Sequence, residues 1–293
     1  MTQTTRRSAR RKPARTSYSS SKKKHPYRVQ RWFATFFLAL VATIGLGIYG
    51  ANKTVLNSDF TTKTLTTGDN LNTITTQVQK NVGVQTGKAV TVSTLVSRAI
   101  STATAKAVVT TAVADVYTNT TNQIDFTAMD SAVKSALSPS STGLSSTITT
   151  LLASEVLSRL HDYFNNELAS RTATARAEYQ EVAKGIHSLI IPLIVIAVVL
   201  AVWLFLVAGF SGFLHNLGWV GLVAGLLGLG VLQLGQKLPM VDTLTAKFGD
   251  FQLVAADYIA QTVNHMSGYY IIAAVAGLIV LLVTIPFVRR ANR

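Results

Sequence analysis

From residue 185 to residue 236 the chain contains no Asp, Glu, Lys or Arg. An α-helix rises about 1.5 Å per residue, and the hydrocarbon core of a bilayer is about 30 Å thick. A run this long overfills one crossing and suits two. The SGFLHN stretch at 211–216 offers small and polar residues for a turn. It divides the run into spans over 188–210 and 217–235. Residues 32–50 and 269–288 are also long and apolar enough to cross. Composition agrees: 14% of residues are charged and mean hydropathy is +0.34, against about 25% charged in soluble domains. The expectation is an all-α integral membrane protein with four transmembrane helices.

The distribution of charge sets the expected orientation. The net charge is +14. Residues 1–31 hold eleven Lys or Arg and no acid, and 289–293 adds Arg289, Arg290 and Arg293. Residues 51–187 and 236–268 are close to neutral. Positive charge abutting apolar segments marks the cytoplasmic side of a membrane. Both basic ends are therefore expected in the cytoplasm, 1–31 as a disordered tail. An even number of spans then places 51–187 and 236–268 outside. The first span is expected to be an uncleaved anchor. Its apolar core exceeds the 7–15 residues usual in a signal peptide, and no A-x-A site follows it. Trp32, Trp203, Tyr269 and Tyr270 are expected as interfacial anchors. A basic patch for specific nucleic-acid recognition would lie on a folded domain, so no such partner is expected.

Between the first and second spans lies a Ser/Thr-rich stretch with helical periodicity. Val92, Leu95, Val96, Ala99, Ile100, Ala103, Ala107 and Val113 recur at steps of three and four over 91–117. The same spacing marks 127–137, with Asp125 and Thr127 as N-cap residues, and 144–168. Residues 169–184 have high helix propensity and can run into the second span. Leu71, Ile74 and Val78 suggest a short helix within 55–87. The expectation is a helical extracytoplasmic domain at 51–187. The 236–268 loop reads as an amphipathic helix capped by Asp242 and bent near Gly249. Its apolar face, with Phe248 and Phe251, is expected to pack against that domain, the alternative being a helix lying in the headgroup region.

Zero Cys excludes a disulfide framework, a thiolate metal site and a cysteine nucleophile. Catalytic chemistry finds little support elsewhere. Gly209-Phe210-Ser211-Gly212 resembles the G-x-S-G string around the serine of rhomboid-type intramembrane proteases, with His215 as the nearest base. Rhomboids have a six-span core, and a tight Gly/Ser turn explains the string. His161, His187 and His265 lack ligand spacing such as H-x-x-x-H, so no metal and no cofactor is expected. The spans carry no ionisable Asp, Glu, Lys or Arg of the kind coupled carriers use. Small residues do recur: Gly221 and Gly225 in the third span, Ala273 and Gly277 in the fourth. They are expected to let helix backbones approach, within the chain or across a homo-oligomer seam.

Residues 54–71 (TVLNSDFTTKTLTTGDNL) and 124–137 (IDFTAMDSAVKSAL) resemble elements of a group of uncharacterised Gram-positive membrane proteins. These carry a helical extracytoplasmic domain between their first and second spans. The resemblance implies a cell-membrane location and transfers no activity. A bacterial lipoprotein acyl-transferring enzyme shares the layout, but its His-containing motif is missing here. The expected function is a non-enzymatic scaffold that contacts membrane lipids and another envelope protein or cell-wall material. The alternatives are a lipid-handling membrane enzyme and an accessory subunit of a transporter.

Overall fold

A computed structural model describes residues 27–85, 100–117, 126–138, 145–163, 165–166 and 169–291. Most of the basic tail, Asp125 and the first part of the 91–117 periodicity lie outside them. All regular structure among the described residues is helical. The helices are α1 (Tyr27–Lys53), α2 (Ser58–Leu65), α3 (Gly68–Gln85), α4 (Thr102–Tyr117), α5 (Thr127–Ala136) and α6 (Ser146–Tyr163). They are followed by α7 (Ala169–Gln236), α8 (Pro239–Ala246), a 3-10 turn (Gly249–Phe251) and α9 (Gln252–Ala291). Among the described residues, three helices are long and apolar enough to cross a membrane: Val29–Lys53, Thr172–Gln236 and Gly249–Phe287.

The middle one is not a straight rod. Gly209 adopts φ 65° and ψ 174°, a region that only glycine occupies without strain. The contacts show what this does. The Leu193 side chain reaches Gly45 of α1, while the Thr43 hydroxyl lies 3.4 Å from the Ala224 carbonyl oxygen. Residues 193 and 224 therefore flank the same turn of α1, although along a straight helix they would stand about 46 Å apart. The chain folds back at Gly209, and α7 is two antiparallel arms. This corrects the expected turn at 211–216, which is helical. Small polar residues there do not break the helix; the positive φ of Gly209 does.

Two cores result. In the first, Ala34, Leu38 and Ala39 of α1 pack on Leu204 and Val220, one from each arm of α7. The second joins the shorter helices. Ile74 and Val78 of α3, Val108, Val109 and Val113 of α4, Met129 and Val133 of α5, and Val156 and Leu160 of α6 are all buried. Each such side chain stabilises by about 1.5–3 kcal/mol on full burial. Helix α2 enters this unit through an N-cap: the Asn57 side chain accepts from the Phe60 backbone N–H at 2.9 Å, a contact worth about 1 kcal/mol. Gly68, at φ 59°, supplies the left-handed residue between α2 and α3.

Several boundaries differ from the sequence reading. Helix α1 starts at Tyr27, so 27–31 is helical rather than tail. Helix α5 has Phe126 as its N-cap with no side-chain bond, and α8 has Leu238 as its N-cap with Pro239 as its first residue, so neither Thr127 nor Asp242 caps. The bend at Gly249 is present, at φ 54°. The 236–268 segment does not end before the last span. Helix α9 runs unbroken from Gln252 past Gly268 to Ala291.

Candidate functional site

Two long helices leave the apolar bundle and enter the helical domain, and polar groups converge where they do so. Helix α9 contributes Val254, buried in the domain core, and then Asp257, Tyr258 and Gln261. The Tyr258 hydroxyl lies 3.0 Å from Thr61 Oγ1, which lies 2.7 Å from the Tyr117 hydroxyl. Tyr117 donates to the Val55 carbonyl at 2.5 Å. Each hydroxyl has one proton, so the direction is fixed. Tyr258 donates to Thr61, Thr61 donates to Tyr117, and Tyr117 donates to the backbone. Burial is the main cause that pushes the Tyr117 phenol above its ordinary value.

Beside this relay, Asp257 Oδ2 accepts from Asn70 Nδ2 and from Gln261 Nε2, both at 2.6 Å. Asn70, itself buried, also donates to the Thr64 carbonyl at 3.0 Å. Helix α7 is held from the other side. The Arg176 guanidinium pairs with the Asp115 carboxylate and donates through Nε to the Asp115 carbonyl at 2.9 Å. The Tyr179 ring sits 4.6 Å from that of Tyr117. The exposed pair Lys80–Asp250, at 3.4 Å, adds little. These groups satisfy one another, so the junction is a joint and not an open catalytic cleft. It fixes the helical domain to two of the apolar helices.

Away from this joint, α5 and α6 also carry exposed residues. An open groove of about 340 Å³ between them is lined by Lys134, Leu137, Thr149, Ala153 and Leu157, among others. On α6, Ile148 and Leu151 are 48% and 65% exposed, although α6 belongs to no apolar crossing.

The small residues singled out in the sequence meet one another. A Cβ on Gly221 would stand 3.1 Å from both the Ala273 carbonyl oxygen and Gly277 Cα. One on Gly225 would meet the Tyr270 carbonyl at 2.5 Å and Ala274 Cβ at 2.6 Å. Gly277 lies against the backbone of Leu222. The second arm of α7 and α9 thus touch backbone to backbone. Tyr270 is 4% exposed and donates to the Thr43 carbonyl at 3.0 Å. It is an internal strut, where an interfacial anchor was expected.

The residues weighed for catalysis are dispersed. His215 Nδ1 is 3.2 Å from the Thr284 hydroxyl. His161 contacts Asp130 at 2.9 Å, His187 contacts the Ala183 carbonyl at 2.7 Å, and His265 contacts Tyr269 at 3.2 Å. Among the described residues no three His, Asp or Glu side chains gather as metal ligands would. The sequence reading missed the relay and the Arg176–Asp115 pair, whose members stand 56 to 197 residues apart. No protein-family model matches the chain, and neither a curated protein nor a solved structure matches it.

Proposed function

We propose that this chain is a multi-pass cell-envelope membrane protein. Four passes carry a rigid helical domain, and that domain binds a protein partner outside the membrane. The reversal at Gly209 supports the fourth pass. Levels along the bundle support a common slab. Arg31 lies against Gly212, at the end that holds Trp32 and Gly209. The Tyr49 and Tyr269 rings meet at 5.1 Å at the opposite end. From Trp32 to Tyr49 and from Tyr269 to Phe287 each pass covers about 25–27 Å, close to the hydrocarbon thickness. In this reading Trp203 falls in the middle of its pass. The basic ends support a cytoplasmic position for both termini.

The single observation that carries partner binding is the exposed Leu151 and Ile148 on α6. Large apolar side chains grouped on a water-facing helix mark contact surfaces. A photoreactive phenylalanine analogue at Leu151 should crosslink in cells to one discrete protein, while the same analogue at Lys106, on another face, should not. Equal crosslinking at both sites, or none at Leu151, contradicts the reading.

A further inference from the structure

The rim where α1, α2 and α9 meet carries exposed groups that the joint above does not use. Lys53, the last residue of α1, holds its ammonium 5.9 Å from the centre of the Tyr49 ring. Tyr49, 49% exposed, packs edge-on against Tyr269. The Tyr269 hydroxyl is bonded to His265 Nε2, and the His265 ring lies 5.4 Å from Phe60. The result is an unbroken wall of four rings with a cation at one end. Among the described residues no carboxylate lies within ion-pair distance of Lys53.

We propose that this rim binds the phosphate headgroup of an anionic phospholipid in the outer leaflet. The inference rests on the membrane reading given above. The wall sits at the level where the apolar passes end, which is where a headgroup would lie. The Lys53 ammonium supplies the charge that a phosphodiester needs. It is held over an aromatic face, which restricts its position without neutralising it. The Tyr49 hydroxyl supplies a further donor, and the rings suit the boundary between headgroup and acyl chain. A zwitterionic lipid brings its own cation beside the phosphate and gains less from Lys53.

The test is native mass spectrometry of the full chain in detergent, titrated with phosphatidylglycerol or with phosphatidylcholine. Phosphatidylglycerol should bind at lower concentration. Lys53→Gln should weaken it about fivefold, the effect of about 1 kcal/mol per basic residue at a membrane surface. Tyr49→Leu should also weaken it, while Lys106→Gln, at an exposed position of α4 outside the wall, should leave it unchanged. Unchanged melting temperatures establish that the variants fold. Wild-type affinity in Lys53→Gln, equal binding of the two lipids, or displacement by soluble glycerol phosphate at matched concentration would each overturn the proposal. Alkaline carbonate extraction separates the two layers of argument. A chain that washes off membranes defeats both readings, and one that stays but ignores lipid charge defeats this one alone.

Discussion

The ring of Tyr270 occupies the space that a side chain at Gly228 would need. That ring also reaches across to α1 and donates to the Thr43 carbonyl. One residue of α9 therefore joins α1 to the second arm of α7, and it does so only because position 228 has no Cβ. Gly228→Ala should destabilise the detergent-solubilised protein by about 1–3 kcal/mol, the range for overpacking. Gly230, two positions on, has no neighbour within 4 Å of a built Cβ. Gly230→Ala should leave the melting temperature unchanged or raise it slightly. Equal melting temperatures for the two variants would count against the packing described.

The two phenylalanines of the Gly249 bend should behave differently. Phe251 packs against the domain core, whereas Phe248 is 56% exposed. The sequence reading placed both against the domain, and only Phe251 is there. Phe251→Asp should cost roughly 2 kcal/mol or more, since it moves a charge into an apolar contact. Phe248→Asp should be close to neutral. Thermal unfolding of both variants in the same detergent checks this, and the account fails if Phe248→Asp is the more damaging.

Arg176 and Asp115 form a pair whose carboxylate side chain is 7% exposed. Arg176→Met removes a cation from that buried carboxylate and should destabilise the protein by up to about 3 kcal/mol. Adding Asp115→Asn should recover part of the loss, because less buried charge is left behind. A double variant less stable than Arg176→Met, read by thermal unfolding, would show that the pair is not the source.

The Tyr117 phenol gives a pH dependence with a definite sign. Burial raises its folded-state value above the ordinary 10.0. Above pH 10 the unfolded chain loses the phenolic proton while the folded chain keeps it, so stability falls as pH rises. Its contribution is fully present below pH 10. Tyr117→Phe should show a shallower decline in melting temperature between pH 10 and pH 11 than the wild type. Identical slopes would contradict the assignment.

The helical class and the apolar crossings were legible because they rest on local hydrophobicity and periodicity. The backbone contact of Gly221 with Ala273 and Gly277 involves residues whose spacing is visible in the chain, whereas Gly225 sits against Tyr270 and Ala274. The site of the reversal was not legible. Sequence pointed to the polar residues at 211–216, yet His215 spends its polarity on Thr284 across a helix interface, and Gly209 makes the turn. The 236–268 segment was expected to end where the last apolar span begins, yet one helix continues on both sides of that boundary. The joint was invisible for a different reason. Thr61, Tyr117 and Tyr258 are ordinary residues until tertiary folding brings them together.

The central claim is that the long uncharged stretch crosses the membrane twice, turning at Gly209. Native cysteines are absent, so single-cysteine labelling reads it directly. Ser158→Cys lies on α6 and Thr243→Cys on α8, both at exposed positions. An impermeant maleimide applied to intact cells should label both, because two passes return the chain to the side it left. Labelling of Ser158→Cys alone, with Thr243→Cys reacting only after permeabilisation, would mean a single crossing and would contradict the account.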